Sequence, residues 1–171
     1  MIMYLNVPGI KGEVSVPGYE GWIKLSDIDH SKMMASLELN VPDSFGDVGP
    51  KSFFGQISLL KSLGGESKEL AQAVQSGKVF PNVEIHYIDA SLPLETLSKL
   101  SLYNAMIFRF TSRKDANGLE KFCVAYTRLE RKIISRSDKQ LKADQQHPGL
   151  SMSPDSKSKH CVPELLCALS G

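Results

Sequence analysis

Alternation of apolar and polar residues constrains this chain more than any other feature of its sequence. Across residues 35–41 every odd-numbered residue is apolar and every even-numbered residue is polar. A period of two places the apolar side chains on one face of an extended strand, whereas a helix would scatter them. The same period orders the large apolar residues at 83–87 and 122–126. The pattern therefore predicts a mostly β fold built from antiparallel strands.

One predicted strand, residues 100–110, is apolar on both of its faces. By strict alternation, one face should hold Leu102, Met106, Phe108 and Phe110. The other face should hold Tyr103, Ala105 and Ile107. A strand that is apolar on both faces needs cover on both, as in the wall of a barrel or sandwich. A neighbouring copy of the chain is one candidate for the outer cover.

A single helix is predicted after the pair Gly64-Gly65. Ser67 stands where a helix N-cap is expected, Glu69 favours the first turn, and Gly77 is placed to end the helix. Its apolar face would carry Leu70, Ala73 and Val74. A helix of about ten residues is unstable alone in water, so we expect it to dock on the sheet.

Residues 42–55 break the alternation with glycines and prolines, which predicts a long loop. The loop carries three aromatic residues, Phe45, Phe53 and Phe54. Large apolar side chains are rarely left together in water, so these rings should pack against the same chain or contact a partner. Both interpretations stay open, and the three residues are candidate subunit or ring contacts.

The last predicted strand continues into a run of charges. Arg128, Glu130 and Lys132 share one face by alternation. Such a run is typical of a solvated edge strand that is protected from aggregation, and it also suits salt bridges between subunits. We therefore include these three residues among the candidate contacts.

The length of 171 residues suits one compact domain, which we place at residues 1–134. From residue 135 to the end the composition turns polar, with only a short apolar cluster near Leu165, and this predicts a flexible tail, 135–171. No signal peptide is expected at the start of the chain.

Composition argues against two classes of partner. The formal net charge is +1, which gives no long-range attraction to nucleic acid. No window approaches the ~20 consecutive apolar residues of a membrane helix, so membrane insertion is not expected.

The sequence gives little support for catalysis or metal binding. Phosphate-binding loops, dinucleotide fingerprints, zinc-protease motifs and serine-hydrolase elbows do not occur. His86 lies two residues from Glu84, and we expect it to be solvated or at an interface; Cys123 is expected to be a small buried residue in a strand. His160, Cys161 and Cys167 are too few for a zinc site. We predict no catalytic residue, no cofactor and no metal.

Three stretches together resemble one known family. They are YLNVPGIKGEVSVPGYEGWIKL at residues 4–25, ELAQAVQSGKVFPNVEIHY at 69–87 and EKFCVAYTRLE at 120–130. Each is similar to a part of the haemolysin-coregulated protein (Hcp) family of type VI secretion: its first hairpin, its helix and following strand, and its final strand. The resemblance spans about residues 1–134. The tail and residues 90–99 depart from it.

The resemblance implies an Hcp-like β-barrel of two antiparallel sheets with one flanking short α-helix. It further implies a homohexameric ring, stacking of rings into a hollow tube, expulsion of the tube by a contracting sheath, and carriage of small effector proteins. Assembly would take place in the bacterial cytoplasm, with secretion that needs no cleavable signal peptide. The expected partners are other copies of the chain and the sheath, spike and effector proteins.

Two other functions remain open from the residues alone. A monomeric β-barrel could hold a small ligand, which requires a large enclosed apolar pocket. A Cys/His hydrolase would need Cys123 to be exposed and His86 to serve as its base.

Overall fold

The alternating segments form strands, as the sequence predicts. Within residues 1–43, 45–91, 93–112 and 118–134, which the computed structural model describes, there are ten strands and one helix. They are β1 Ile2–Asn6, β2 Ile23–Leu25, β3 Asp27–Asp29, β4 Leu37–Pro42, β5 Val48–Phe53, β6 Gly55–Ser62, α1 Ser67–Ser76, β7 Val79–Asp89, β8 Glu95–Ser112, β9 Leu119–Tyr126 and β10 Arg128–Ile133. The mostly β prediction is confirmed, while the predicted tail, 135–171, lies outside the described residues.

Eight strands form one antiparallel sheet that closes on itself. Its order is β2-β1-β7-β8-β9-β6-β3, and β10 pairs with β8. Ser26 alone separates β2 from β3, so one short stretch of chain pairs with β1 at one end of the sheet and with β6 at the other. The Ser26 N–H donates to the Leu60 carbonyl oxygen at 2.7 Å. This stretch joins the two edges into a barrel, and the second sheet is the small β4–β5 pair.

The inward side chains fill the barrel. The strand residues of this core that are 0% exposed are Leu5, Ile57, Leu59, Val83, Ile85, Leu102, Ala105, Ile107, Phe122, Val124 and Tyr126. The helix α1 adds Leu70 and Ala73 to the same cluster, so it docks on the sheet as expected. Gly77 ends α1 with φ +59°, a left-handed conformation that glycine adopts without strain, and this prediction is confirmed. Among the described residues no helix is long and apolar enough to cross a membrane.

The strict alternation predicted for residues 100–110 was wrong, because β8 contains two irregularities. The first is Asn104, which has φ +47°. The second is a shift in the register between β8 and β9, between Ile107 and Arg109. Each irregularity exchanges the two faces of the strand. Leu102 and Phe110 therefore pack with the main core, whereas Met106 and Phe108 belong to a second cluster on the outer face.

A buried ion cluster joins α1 to the barrel wall. Lys61 of β6 is 0% exposed, and its Nζ lies 2.9 Å from Glu66 Oε1 and 2.8 Å from Glu120 Oε2. The Ser67 hydroxyl accepts a hydrogen bond from Lys61 at 3.1 Å and donates one to Glu120 at 2.5 Å. Because Ser67 is engaged in this way, Glu66 rather than Ser67 occupies the N-cap position, which corrects the sequence prediction.

Replacing Lys61 should destabilise the fold strongly. In Lys61→Met two buried carboxylates lose their cation, and breaking a buried pair of this kind typically costs about 3–5 kcal/mol. Urea unfolding of the full chain measures the change. Lys68→Met, at an exposed position of α1, is the matched control and should change stability by less than about 0.5 kcal/mol. Equal stability of the two variants would contradict this assignment.

Candidate assembly surfaces

The β4–β5 hairpin covers part of the outer face of the barrel. Its register runs from Leu37 opposite Phe53 to Pro42 opposite Val48. Phe53 is 1% exposed and packs against Met106 and Ala125. The outer cover that the two-faced strand requires is therefore supplied at this point by the chain itself.

The hairpin also corrects the predicted loop at residues 42–55. Residues 48–53 form β5 despite Gly49 and Pro50, which weaken strand propensity. An edge strand tolerates proline because its outward N–H needs no partner. Packing of Phe53 on the barrel favours the strand, a tertiary contact that local sequence does not reveal.

The tip of the hairpin is an ordered turn that presents one exposed aromatic ring. The Asp43 carboxylate accepts hydrogen bonds from the backbone N–H groups of Phe45 and Asp47, at 2.8 and 2.9 Å. The Asp43 N–H donates to the Asp47 carbonyl oxygen at 2.8 Å, and Gly46 has φ +87°. Phe45 is 93% exposed. These bonds constrain the backbone of the turn, and the Phe45 ring is left exposed to water.

The three aromatic residues singled out by the sequence have different surroundings. Phe53 packs within the chain and supports the hairpin from below. Phe54 is exposed, its N–H donates to the Tyr126 carbonyl oxygen at 2.8 Å, and its ring lies 6.5 Å from that of Tyr126. Phe45 alone projects from the tip, so Phe45 and Phe54 are the two of the three that can meet another molecule.

The strand β10 carries the charged candidates. The Arg128 guanidinium lies 4.0 Å from the centre of the Tyr103 ring and 3.1 Å from Glu130, whose carboxylate also accepts a hydrogen bond from the Tyr103 hydroxyl at 2.9 Å. Lys132 has no ion pair among the described residues. Exposed pairs of this kind contribute little to stability. In the described part of the chain β10 pairs only with β8, so its outer edge is open.

His86 is buried, so of the two expected positions the solvated one is wrong, while the interface position stays a prediction. It is 5% exposed beneath Tyr19 and Trp22, which fold over the outer face from the segment between β1 and β2. Its Nδ1 lies 3.3 Å from the Tyr19 hydroxyl, and its Nε2 lies 3.6 Å from Glu84. Burial, aided by the positive charge of Lys99 and opposed by Glu84, lowers the pKa of His86 to about 4. The ring is therefore neutral at physiological pH.

Cys123 and His86 do not meet. Cys123 is buried in β9, as expected, with its sulfur 3.3 Å from the Ser58 hydroxyl. On β8, Cys123 pairs with Arg109 and His86 pairs with Lys99, so about 33 Å of strand separates the two positions. A catalytic pair of Cys123 and His86 is thereby excluded. No group of three metal-ligating side chains occurs in the described ranges.

Comparison with known proteins identifies relatives of this fold. The family described as "Type VI secretion system effector, Hcp" matches residues 4–132. No curated protein sequence matches the chain.

Solved structures with the same fold include Hcp2 from Salmonella typhimurium, at 13% identity and a TM-score of 0.60, covering 80% of this chain and 88% of that one. A type VI secretion system effector from Yersinia pestis, at 13% identity and a TM-score of 0.59, covers 79% and 92%. A further type six secretion system protein, also at 13% identity, reaches a TM-score of 0.62 over 80% and 86%. At such low identity these likenesses show a shared fold.

Acid should destabilise the protein through His86. The pKa of His86 is about 4 in the folded state, below its ordinary value of 6.5. Between pH 4 and 6.5 His86 is therefore protonated in the unfolded chain and neutral in the folded chain. The free energy of unfolding should fall as pH drops from 6.5 to 4, by at most about 1.4 kcal/mol per pH unit. Urea unfolding at several pH values should show a shallower dependence for His86→Gln. His30→Gln, at an exposed position, is the control, and equal slopes for all three proteins would contradict this account.

Proposed function

Because the chain belongs to the Hcp family of type VI secretion proteins, we propose that it is the tube subunit of that machine. Six copies close into a ring, and rings stack into a hollow tube. The observation that carries this proposal is the family match over residues 4–132, and the hairpin tip, where Phe45 is 93% exposed, offers a surface for contact with another copy. An exposed phenylalanine on an ordered turn can serve as an anchor for a partner, because aromatic side chains contribute much of the binding energy of many interfaces.

In this proposal the tube is assembled in the bacterial cytoplasm and expelled by a contracting sheath. The secreted tube carries small effector proteins in its lumen and meets the spike at its end. Export needs no cleavable signal peptide, and the protein acts without catalysis, cofactor or metal. Its partners are further copies of itself, the sheath, the spike and the effectors.

Two surfaces are proposed to make the contacts between copies. Phe45 and Phe54 lie on the hairpin side, where burial of one phenylalanine contributes about 1.5–3 kcal/mol. Arg128, Glu130 and Lys132 lie on β10, beside an open strand edge that suits pairing with another chain. Phe53 acts indirectly, since its packing on the barrel fixes the hairpin.

The filled interior favours a tube subunit over a monomeric ligand carrier. A ligand-binding barrel needs an enclosed apolar cavity, but here Ile57, Phe122 and Tyr126 are among the fully buried side chains that occupy the inside. The described clefts are open to the surface and are not enclosed cavities inside the barrel.

Native mass spectrometry of the purified full chain, combined with negative-stain electron microscopy, tests the proposal. A mass of six subunits and ring-shaped particles are expected. A monomer at every concentration from micromolar to millimolar would overturn it.

Substitution of Phe45 should separate ring formation from stacking. Phe45→Ser removes the exposed anchor but leaves the Asp43 backbone bonds in place, so we expect intact rings that stack several-fold less. Sedimentation velocity measures the ring and the stacked species separately. Leu63→Ser, at an apolar position 65% exposed, is the control and should stack normally. Unchanged stacking of Phe45→Ser would contradict the role of the tip.

A further inference from the structure

An apolar cleft, here called the end cleft, lies beside the end of β10. It has a volume of about 590 Å³. Tyr87 and Leu100, both buried members of the main core, form its floor. Met33 and Leu97 contribute to its walls, and Ile133, which is 70% exposed, stands at its rim. An apolar side chain that enters this cleft would therefore contact two residues of the core.

Hydrogen bonds hold the end cleft in shape. His30 bridges two of its sides, because Nε2 lies 3.1 Å from the Tyr87 hydroxyl and Nδ1 lies 3.1 Å from the Met33 sulfur. The Ile134 N–H donates to the Leu97 carbonyl oxygen at 2.8 Å and keeps the end of β10 against β8. The cleft is preformed, so a ligand binds without first ordering its walls.

The end cleft and the hairpin tip are complementary in chemistry. At the tip, Phe45 is flanked in the sequence by two acidic residues, Asp43 and Asp47. At the cleft, Arg131 lies in the lining, and its charge acts on Tyr87, where it opposes the rise in pKa that burial causes. An apolar ring flanked by acids thus matches an apolar cleft flanked by a base. The volume lies in the range of pockets that bury whole ligands, which is ample for one phenyl ring.

A tip cannot reach the end cleft of its own chain. Pro42 lies against Gly77, since a Cβ on Gly77 would be 2.8 Å from Pro42 Cδ, and this places the tip near the start of β7. The cleft contains Tyr87, near the end of β7 and about 26 Å from Val79 at ~3.3 Å per residue. Phe45 extends no more than about 10 Å beyond Pro42. A tip that occupies an end cleft must therefore belong to another copy.

We propose that the end cleft receives Phe45 from the hairpin tip of a second copy. The contact joins two unlike surfaces, so it is heterologous and each copy retains a free tip and a free cleft for further copies. Such a contact propagates along a line of subunits. This inference rests on the proposed tube function and names the receptor for the stacking anchor.

Disulfide trapping tests the contact directly. The full chain carries Phe45→Cys and Ile133→Cys, with Cys161 and Cys167 changed to serine, while Cys123 stays because it is buried. Oxidation should give a ladder of dimers, trimers and longer products on a denaturing gel. Each single-cysteine variant should give no ladder, and an equimolar mixture of the two should stop at the dimer. Phe45→Cys with Leu63→Cys is the matched control, which should not produce a ladder.

Charge reversal gives a second readout that does not depend on cysteine chemistry. Asp47 contributes its backbone, and not its carboxylate, to the described bonds of the turn, so Asp47→Lys leaves the turn intact. Arg131→Glu and Asp47→Lys should each weaken stacking several-fold in sedimentation velocity, and the double variant should recover it. Failure of the double variant to recover, with both single variants folded, would overturn the pairing.

The outcomes separate this inference from the proposed function. If the parent protein forms stacked rings and the double-cysteine chain gives no ladder, the end cleft is not the receptor and the tube function stands. A dimer from Phe45→Cys alone at equal yield would mean that tips meet tips, which also overturns the inference. If the parent remains monomeric and the double-cysteine chain gives no ladder, both the inference and the proposed function are overturned.

Discussion

The barrel depends on one short stretch of chain, residues 23–29, that pairs with both ends of the sheet. Its first half pairs with β1, its second half pairs with β6, and Ser26 bonds to Leu60 between them. Without this stretch both strands would present open edges, and the core would lose a wall. Closure gives a rigid frame, on which the hairpin and β10 are the projecting features.

Sequence periodicity predicted the strands, the helix and its end at Gly77, because these follow from local patterns. It failed where distant residues decide the structure. The side chains of β8 exchange faces at Asn104, and the flanking sequence does not indicate the left-handed backbone conformation found there. The strand β5 forms because Phe53 packs on Met106. The Lys61 cluster joins residues far apart in sequence, and a lysine in an alternating strand normally indicates solvent.

The candidate contacts stay predictions, but the structure separates residues that the sequence could only group together. Three phenylalanines in a glycine-rich segment indicated a surface, yet only the hairpin register separates the buried Phe53 from the exposed Phe45. The charges of β10 were predicted to be on one face, and the structure adds that Arg128 and Glu130 already pair with each other. The end cleft gave no sequence signal, because its walls come from β7, β8, β10 and the segment after β3.

In the proposed assembly the hairpin tip of one closed barrel contacts the end cleft of the next. Within one chain the tip lies beside the start of β7, and the cleft lies near the end of β7. An electron cryomicroscopy reconstruction of the assembled full chain tests this claim most directly. The account predicts six-fold rings in a stack, with the Phe45 ring buried between Tyr87 and Ile133 of a copy in the next ring. Stacked rings with Phe45 in solvent or against its own barrel would contradict it.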